Sequence, residues 1–152
     1  MDGEKRIALC AHDALKQTLG AWAFANEALL RPHQLTATAN TGRVLMDQTR
    51  LQVECVRAGA LGGDLELGAL IAGGQIDILI LLTDPLAPEA HDVDPAPLLR
   101  IAAIAQIAVA TTEATADFIA RSELFARPYR RGRPQPALPA VLQKLDRRSE
   151  RA

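Results

Sequence analysis

Two of the three histidines stand close to carboxylates in segments that follow apolar runs. His12 and Asp13 come directly after the first apolar run, while His91 and Asp94 lie in the loop beyond the fourth. A carboxylate can take a proton from a substrate, and an imidazole can donate or accept one near neutral pH. The pattern indicates organic acid–base chemistry, although each histidine taken alone is also compatible with a structural role in the core.

A second group of residues supplies hydrogen-bond donors and one cation, namely Lys16, Thr38, Asn40, Thr41, Gly42 and Gly59. Hydroxyls, amides and glycines near helix starts can form an anion site, since the backbone can approach a ligand closely there. The alternative is ordinary helix capping by Asn40 and Thr41, and Asp64 could likewise cap the helix that follows it. The sequence leaves both interpretations open.

Short apolar runs alternate with segments of helical periodicity along the whole chain. The predicted strands are 6–11, 35–38, 51–56, 76–82 and 107–111, and the predicted helices are 14–30, a brief one through Val44 and Leu45, 65–72, 98–105 and 114–120. This alternation predicts an α/β fold, a Rossmann-like three-layer sandwich with a central five-stranded parallel sheet. Ligands bind such sheets beyond the carboxyl ends of the strands, so the two polar groups are expected to converge there.

Other classes of protein are excluded by composition and spacing. The chain has 152 residues, a formal net charge of −1 and 49% hydrophobic residues, which indicates a globular domain rather than a disordered one. No apolar run is long enough to span a membrane and the polar start is not a secretory leader, so a cytoplasmic location is predicted. Cys10 and Cys55 are expected to be buried, reduced core residues.

Cofactor and metal motifs are also missing from the sequence. The loop after the first strand has no glycine, which argues against a dinucleotide fingerprint or a phosphate-binding P-loop. Response-regulator receivers use a lysine after the last strand, where this chain has Thr111, Thr112 and Glu113. His12, Asp84 and His91 could be imagined as a metal site, but nothing in their spacing favours metal over organic chemistry, and no metal is predicted.

The charge divides the chain into an acidic body, 1–126, and a basic, proline-rich C-terminal tail, 127–152. The tail holds eight basic and two acidic residues, a net of +6, which leaves −7 for the body. A basic tail can bind nucleic acid, but Tyr129 is its only aromatic residue and it matches no nucleic-acid module. Packing on an acidic neighbouring subunit, or simple solvation, is the favoured interpretation.

Several segments, taken together and in order, resemble the methylglyoxal synthase family. They are IALCAHDALKQ, TATANTG, AGALGGDLELGALIAGGQIDILILLTDPL, HDVD followed by LLRIA, and VATTEATADFI. The resemblance runs from about Arg6 to Ser122, and the combination of Gly-Gly-Asp with Asp-Pro-Leu and His-Asp-x-Asp makes it specific. It implies conversion of dihydroxyacetone phosphate to methylglyoxal and inorganic phosphate, without cofactor, in a homohexamer. The same fold also serves as a regulatory domain, so a non-catalytic phosphate-sensing or phosphometabolite-sensing domain is the alternative.

The resemblance also implies roles for individual residues. Asp64 matches the base that takes a proton from the hydroxyl-bearing carbon, and His91 matches the histidine that polarises the carbonyl. His12 and Asp94 complete the catalytic set, with Asp13 and Asp84 as supporting carboxylates. The phosphate-holding positions are Lys16, Thr38, Asn40, Thr41, Ala58 and Gly59.

Two phosphate-contacting hydroxyls of the family pattern are replaced in this chain. The family usually has Thr-Gly-Thr-Thr-Gly where this chain has an amide at Asn40, and Ser-Gly-Pro where it has a methyl group at Ala58. Losing a hydrogen bond to a charged group costs roughly 1.5–3 kcal/mol. A functional but weaker phosphate site is therefore expected, and substrate preference is left open at these two positions.

Overall fold

The computed structural model describes residues 3–86 and 95–132. It contains a five-stranded, wholly parallel sheet in the order β3-β2-β1-β4-β5. The strands are β1 (Arg6–Ala11), β2 (Gln34–Thr38), β3 (Val53–Val56), β4 (Ile78–Leu82) and β5 (Ala108–Ala110). The helices are α1 (Lys16–Ala25), α2 (Glu27–Leu30), α3 (Ala39–Gln48), α4 (Gly63–Ala72), α5 (Pro95–Ala105), α6 (Glu113–Ala120) and α7 (Glu123–Ala126).

The helices form one layer on each face of the sheet, which confirms the predicted three-layer sandwich. Alternate residues of β1 point to opposite faces, as strand geometry requires. Ile7 and Leu9 belong to the apolar cluster that α1, α3, α6 and α7 cover, whereas Ala8 and Cys10 belong to the cluster under α4 and α5. Among the described residues, no helix is long and apolar enough to cross a membrane.

The predicted helix 14–30 is wrong as a single element. A three-residue 3-10 turn, Asp13–Leu15, precedes α1, and the chain breaks again at Asn26 before α2 begins. Asn26 has φ −109° and ψ 17°, and its side-chain amide donates to the Trp22 carbonyl at 2.9 Å. Asparagine competes with the helical ladder through such local hydrogen bonds, which a periodicity of apolar residues does not reveal.

Other boundaries differ by smaller amounts. Strands β3, β4 and β5 are shorter than predicted, α5 begins earlier, at Pro95, and the short helix α7 after α6 was not predicted. Cys10 is fully buried as predicted, but Cys55 is exposed, which contradicts the expectation for that residue. Cys55 lies on β3, the edge strand of the sheet. An apolar sequence pattern does not show that a strand is at the edge, where side chains can be exposed to solvent.

The first described residues of the basic tail pack across the amino edge of the sheet. The Lys5 ammonium donates to the Arg127 carbonyl at 2.6 Å. Arg131 donates to the Ile76 carbonyl at 3.0 Å, and its guanidinium lies 3.9 Å from an Asp77 carboxylate oxygen. Arg131 therefore contacts an acidic group of its own chain.

Asp77 is a buried carboxylate that joins the amino ends of β1 and β4. Its oxygens accept from the Arg6 backbone at 3.1 Å and from the Arg6 guanidinium at 3.0 and 2.9 Å. Burial acts to raise the pKa of Asp77, but the hydrogen bonds from Arg6 and the charges of Arg6 and Arg131 outweigh it and lower the pKa. The ionised form is thus favoured in the folded protein.

We expect Asp77→Asn to lower the free energy of unfolding by about 1–3 kcal/mol near neutral pH, since hydrogen bonds to a charged group are lost. Because the pKa of Asp77 is lower in the folded than in the unfolded protein, the ionised carboxylate stabilises the fold. This contribution is fully present above the unfolded pKa, about 3.9, and is lost as the pH falls through the folded pKa. Urea unfolding of wild type and Asp77→Asn, at neutral and at acidic pH, measures this difference in the free energy of unfolding. The gap between wild type and variant should narrow in acid, and the exposed control Asp47→Asn should show no such gap. A gap independent of pH would contradict the assignment.

Candidate active site

The strand order reverses between β1 and β4, and His12 and Asp84 follow these two strands. The His12 backbone donates to the Leu82 carbonyl at 3.1 Å, and the Asp84 backbone donates to His12 Nδ1 at 3.1 Å. Because Nδ1 accepts a hydrogen bond, the proton of the neutral imidazole is on Nε2. His12 is buried, so its orientation is set by the sheet beneath it.

Lys16 lies at the start of α1, one turn beyond His12. Its ammonium contacts the Asp13 carboxylate, three residues earlier, in an ion pair. The Lys16 side chain is largely covered while that of Asp13 is mostly exposed. The predicted cation of the anion site and the predicted supporting carboxylate thus form one pair at this edge.

Thr38, Asn40 and Thr41 lie at the junction between β2 and α3. The helix predicted as a brief one through Val44 and Leu45 begins earlier, at Ala39, so Asn40 and Thr41 both lie within its first turn. Thr38 holds the N-cap position, and neither Asn40 nor Thr41 caps the helix. Thr38 Oγ1 donates to Thr41 Oγ1 at 3.1 Å; both threonines are buried, whereas Asn40 is exposed. The capping alternative for Asn40 and Thr41 is therefore excluded.

The glycine-rich loop between β3 and α4 contains a short 3-10 turn, Gly59–Leu61. Gly62 then has φ +90°, a left-handed conformation that glycine adopts without strain. Gly63 opens α4 so close to the preceding strand that a Cβ there would lie 1.9 Å from the Arg57 carbonyl oxygen. Asp64 lies in the first turn of α4, with Gly62 at the N-cap, so Asp64 is not a capping residue either.

The loop is joined to its surroundings by two further contacts. The Ala39 backbone donates to the Arg57 carbonyl at 3.3 Å, which links the start of α3 to the loop that leads to Asp64. Glu66 accepts from the Arg57 backbone at 3.2 Å and pairs with its guanidinium at 2.9 Å. Sequence analysis missed Arg57 and Glu66, since a pair nine residues apart across a turn carries no periodic signal.

Charges from two helices act on one buried side chain at the end of β1. The pKa of the Cys10 thiol is raised, and burial is the largest cause. A hydrogen bond with Thr38 and the charge of Lys16 act to lower the pKa, whereas the charge of Asp64 acts to raise it. Lys16 and Asp64, from α1 and α4, are therefore both within electrostatic range of Cys10. The predicted cation, the threonine hydroxyls and the predicted base converge at the carboxyl edge of the sheet.

Two predicted catalytic residues, His91 and Asp94, lie outside the described residues, so the structure does not test their positions. No group of three or more histidine, cysteine, aspartate or glutamate side chains in the described part of the chain could hold a metal ion. The threonine hydroxyls and the lysine that lie at this edge are groups of the kind that bind an anion.

A cavity of about 300 Å³ opens at the opposite, amino edge of the sheet. Its lining is mostly apolar and includes Ile78, Ile107, Phe125 and Tyr129. The Lys5 ammonium in its wall already donates to the Arg127 carbonyl. This cavity is remote from the converging polar groups, which lie at the carboxyl edge of the sheet. We therefore assign the site by its chemistry and not by the concavity of the surface.

The fold and the site define an MGS-like domain, and the family model with that description matches residues 20–111. Methylglyoxal synthases from Yersinia pestis (strain Pestoides F) and Yersinia pseudotuberculosis serotype O:1b (strain IP 31758) are each 47% identical over 122 residues, covering 80% of this chain and 79% of each relative. The crystal structure of methylglyoxal synthase from Elizabethkingia anophelis NUHP1 matches with a TM-score of 0.86 and 34% identity, covering 91% of this chain and 95% of that one. The chain belongs to the methylglyoxal synthase family and is an enzyme.

Proposed function

We propose that this enzyme converts dihydroxyacetone phosphate to methylglyoxal and inorganic phosphate. The observation that carries the proposal is the contact between the start of α3 and the β3–α4 loop at the carboxyl edge of the sheet. The Ala39–Arg57 hydrogen bond of 3.3 Å joins the threonine-bearing start of α3 to the loop that leads to Asp64. A carboxylate base, an imidazole and anion-binding donors together are the groups that this elimination requires.

In the proposed first step, Asp64 takes a proton from the hydroxyl-bearing carbon of the substrate. The electron pair of that C–H bond passes into an enediolate, whose developing negative charge must be stabilised by preformed donors. By family resemblance, His91 polarises the carbonyl and moves protons among the oxygens, and Asp94 is a further catalytic residue. His12, with its neutral-form proton on Nε2, is suited to donate to a substrate oxygen. A carboxylate base with a neutral imidazole also serves triose phosphate enolisation in triosephosphate isomerase.

In the second step, the hydroxyl on the carbon that lost its proton gives up its O–H proton and becomes the aldehyde carbonyl, and the carbon–carbon double bond shifts toward the carbon that bears the phosphate. The bond between that carbon and the ester oxygen breaks, and phosphate leaves with the electron pair. The resulting enolate takes one proton on carbon to give methylglyoxal and the phosphate takes another, so both protons removed from the substrate are accounted for. Phosphate leaves when its ester bond stands perpendicular to the enediolate plane, and the anion site must hold that geometry. The groups proposed to hold it are Lys16, Thr38, Asn40, Thr41, Ala58 and Gly59.

Asn40 and Ala58 weaken the proposed phosphate site relative to the family pattern. The Asn40 amide is exposed and can still donate to an anion, whereas Ala58 offers only its backbone. We expect a higher KM for the substrate rather than a different reaction, because neither position supplies the base.

The remaining proposals concern the chain as a whole. We infer a cytoplasmic homo-oligomer, a hexamer by family resemblance, with no nucleic-acid partner and no cofactor. The division into a body, 1–126, and a tail, 127–152, rests on charge and proline content. Arg127 and Arg131 contact the body, which supports the interpretation that the tail packs on protein rather than on nucleic acid.

The test is an assay of the purified full-length chain with dihydroxyacetone phosphate, in which phosphate and methylglyoxal are both measured. We expect the two products in equal amounts, at a rate proportional to enzyme concentration and well above that of heat-denatured protein. Phosphate binding by calorimetry without any turnover would instead support the phosphate-sensing alternative. Turnover that yields phosphate without methylglyoxal would indicate a phosphatase and would contradict the proposal.

A further inference from the structure

Cys10 has a polar contact that a simple core residue would lack. It is fully buried on the face of β1 that α4 covers, and its Sγ lies 3.8 Å from Thr38 Oγ1, within hydrogen-bond range for sulfur. Thr38 in turn donates to Thr41 Oγ1 at 3.1 Å. Three side chains from β1, β2 and α3 thus form one buried hydrogen-bond chain.

The direction of this chain follows from counting protons. A threonine hydroxyl has one proton, and the proton of Thr38 is used in its bond to Thr41. The contact between Cys10 and Thr38 therefore has the thiol as donor and the hydroxyl as acceptor. Cys10 therefore donates to Thr38, and Thr38 donates to Thr41 in the first turn of α3.

We propose that Cys10 is a positioning residue for the Thr41 hydroxyl of the anion site. Its thiol donates to Thr38 Oγ1 and so directs the Thr38 hydroxyl toward Thr41, which accepts that bond and can turn its own proton to a phosphate oxygen. This inference rests on the proposed function, since it assigns Cys10 to the same anion site. Cys10 touches no substrate atom in this role. It acts by holding the rotamer of Thr38. In a variant without the thiol, the Thr38 hydroxyl could turn toward the space that the thiol occupies in wild type.

The surroundings of Cys10 suit a donor. Burial raises the pKa of its thiol and outweighs the lowering effects of Thr38 and Lys16, so the S–H form, which can donate, is favoured. Cys55, the other free thiol, is exposed and donates to the Val53 carbonyl, at 3.9 Å, so it serves as an internal comparison.

The first experiment measures the binding of inorganic phosphate by calorimetry. We expect Cys10→Ala and Cys10→Val to weaken phosphate binding about two- to tenfold, the range for a single neutral hydrogen bond, with a smaller change in kcat. In a Thr38→Val background, adding Cys10→Ala should change the affinity no further. Leu81→Val is the matched control, since Leu81 pairs with Cys10 across the strands and lies in the same apolar cluster. It should lower Tm and leave the phosphate affinity unchanged.

The second experiment observes the thiol directly. In a Cys55→Ser background, the infrared S–H stretching band reports Cys10 alone, and we expect Thr38→Val to shift it toward the frequency of a free thiol. An unmoved band, or equal phosphate affinity in wild type and Cys10→Val, would overturn the inference. These outcomes are distinct from failure of the proposed function, which would appear as wild-type protein that neither binds phosphate nor turns over dihydroxyacetone phosphate.

Discussion

Replacing Asp64 with asparagine is expected to lower kcat for dihydroxyacetone phosphate by about 10²–10⁴-fold, the usual contribution of a positioned general base. The amide has nearly the same shape as the carboxylate but cannot accept the proton from carbon. Asp64 lies in the first turn of α4, behind a glycine pair that sets its backbone, so the variant should keep the loop intact. Initial-rate measurements of methylglyoxal formation check this result.

A measurement of phosphate binding distinguishes a variant that has lost only the catalytic base from one whose phosphate site is disrupted. Inorganic phosphate should bind Asp64→Asn as well as wild type, or more tightly, because a negative charge near the anion site has been removed. Asp47→Asn makes the same change of charge on the exposed face of α3 and should leave turnover unaltered. If Asp64→Asn turned over normally, Asp64 would not be the base, and Asp13 and Asp84, the carboxylates near His12, would be the next candidates.

The fold could be predicted from the sequence because its signals are local and repeated. Buried strands of a parallel sheet are continuous apolar runs, and β1 was predicted with its observed bounds. Element ends were predicted less well, because they depend on single polar contacts. The break at Asn26 comes from a side-chain amide bonded to the Trp22 carbonyl, and no count of apolar positions detects such a bond.

The site could be predicted in part, by the rule that ligands gather beyond the carboxyl ends of parallel strands. His12 and Asp84 meet at the reversal of strand order, as that rule requires. The rule does not say which side chains turn inward. Cys10 looked like a core residue in the sequence, because its contact with Thr38 depends on the register of β1 and β2, which pairs Leu9 with Ala37.

Gly63 is the position where backbone geometry most directly controls the proposed base. A Cβ at this residue would lie 1.9 Å from the Arg57 carbonyl oxygen and 2.7 Å from its carbon. Both are backbone atoms of Arg57, the residue after β3, whose carbonyl accepts from the Ala39 amide and whose N–H donates to the Glu66 carboxylate. Neither atom can rotate away as a side chain would, so an added methyl group must displace the start of α4.

We therefore expect Gly63→Ala to lower kcat by about 10²-fold, since Asp64 is the next residue and a misplacement of about 1 Å has an effect of that size. The clash should also lower the free energy of unfolding by about 1–3 kcal/mol. Gly68→Ala is the matched control on the same helix, where the nearest atom to an added Cβ is Leu98 Cδ2 at 3.8 Å, an ordinary contact. That control should keep kcat and raise Tm, because alanine favours a helix interior by about 0.5–1 kcal/mol over glycine. Steady-state kinetics and thermal unfolding of both variants give the comparison. If Gly63→Ala retained wild-type kcat, the close approach of α4 to β3 would not be what positions the base.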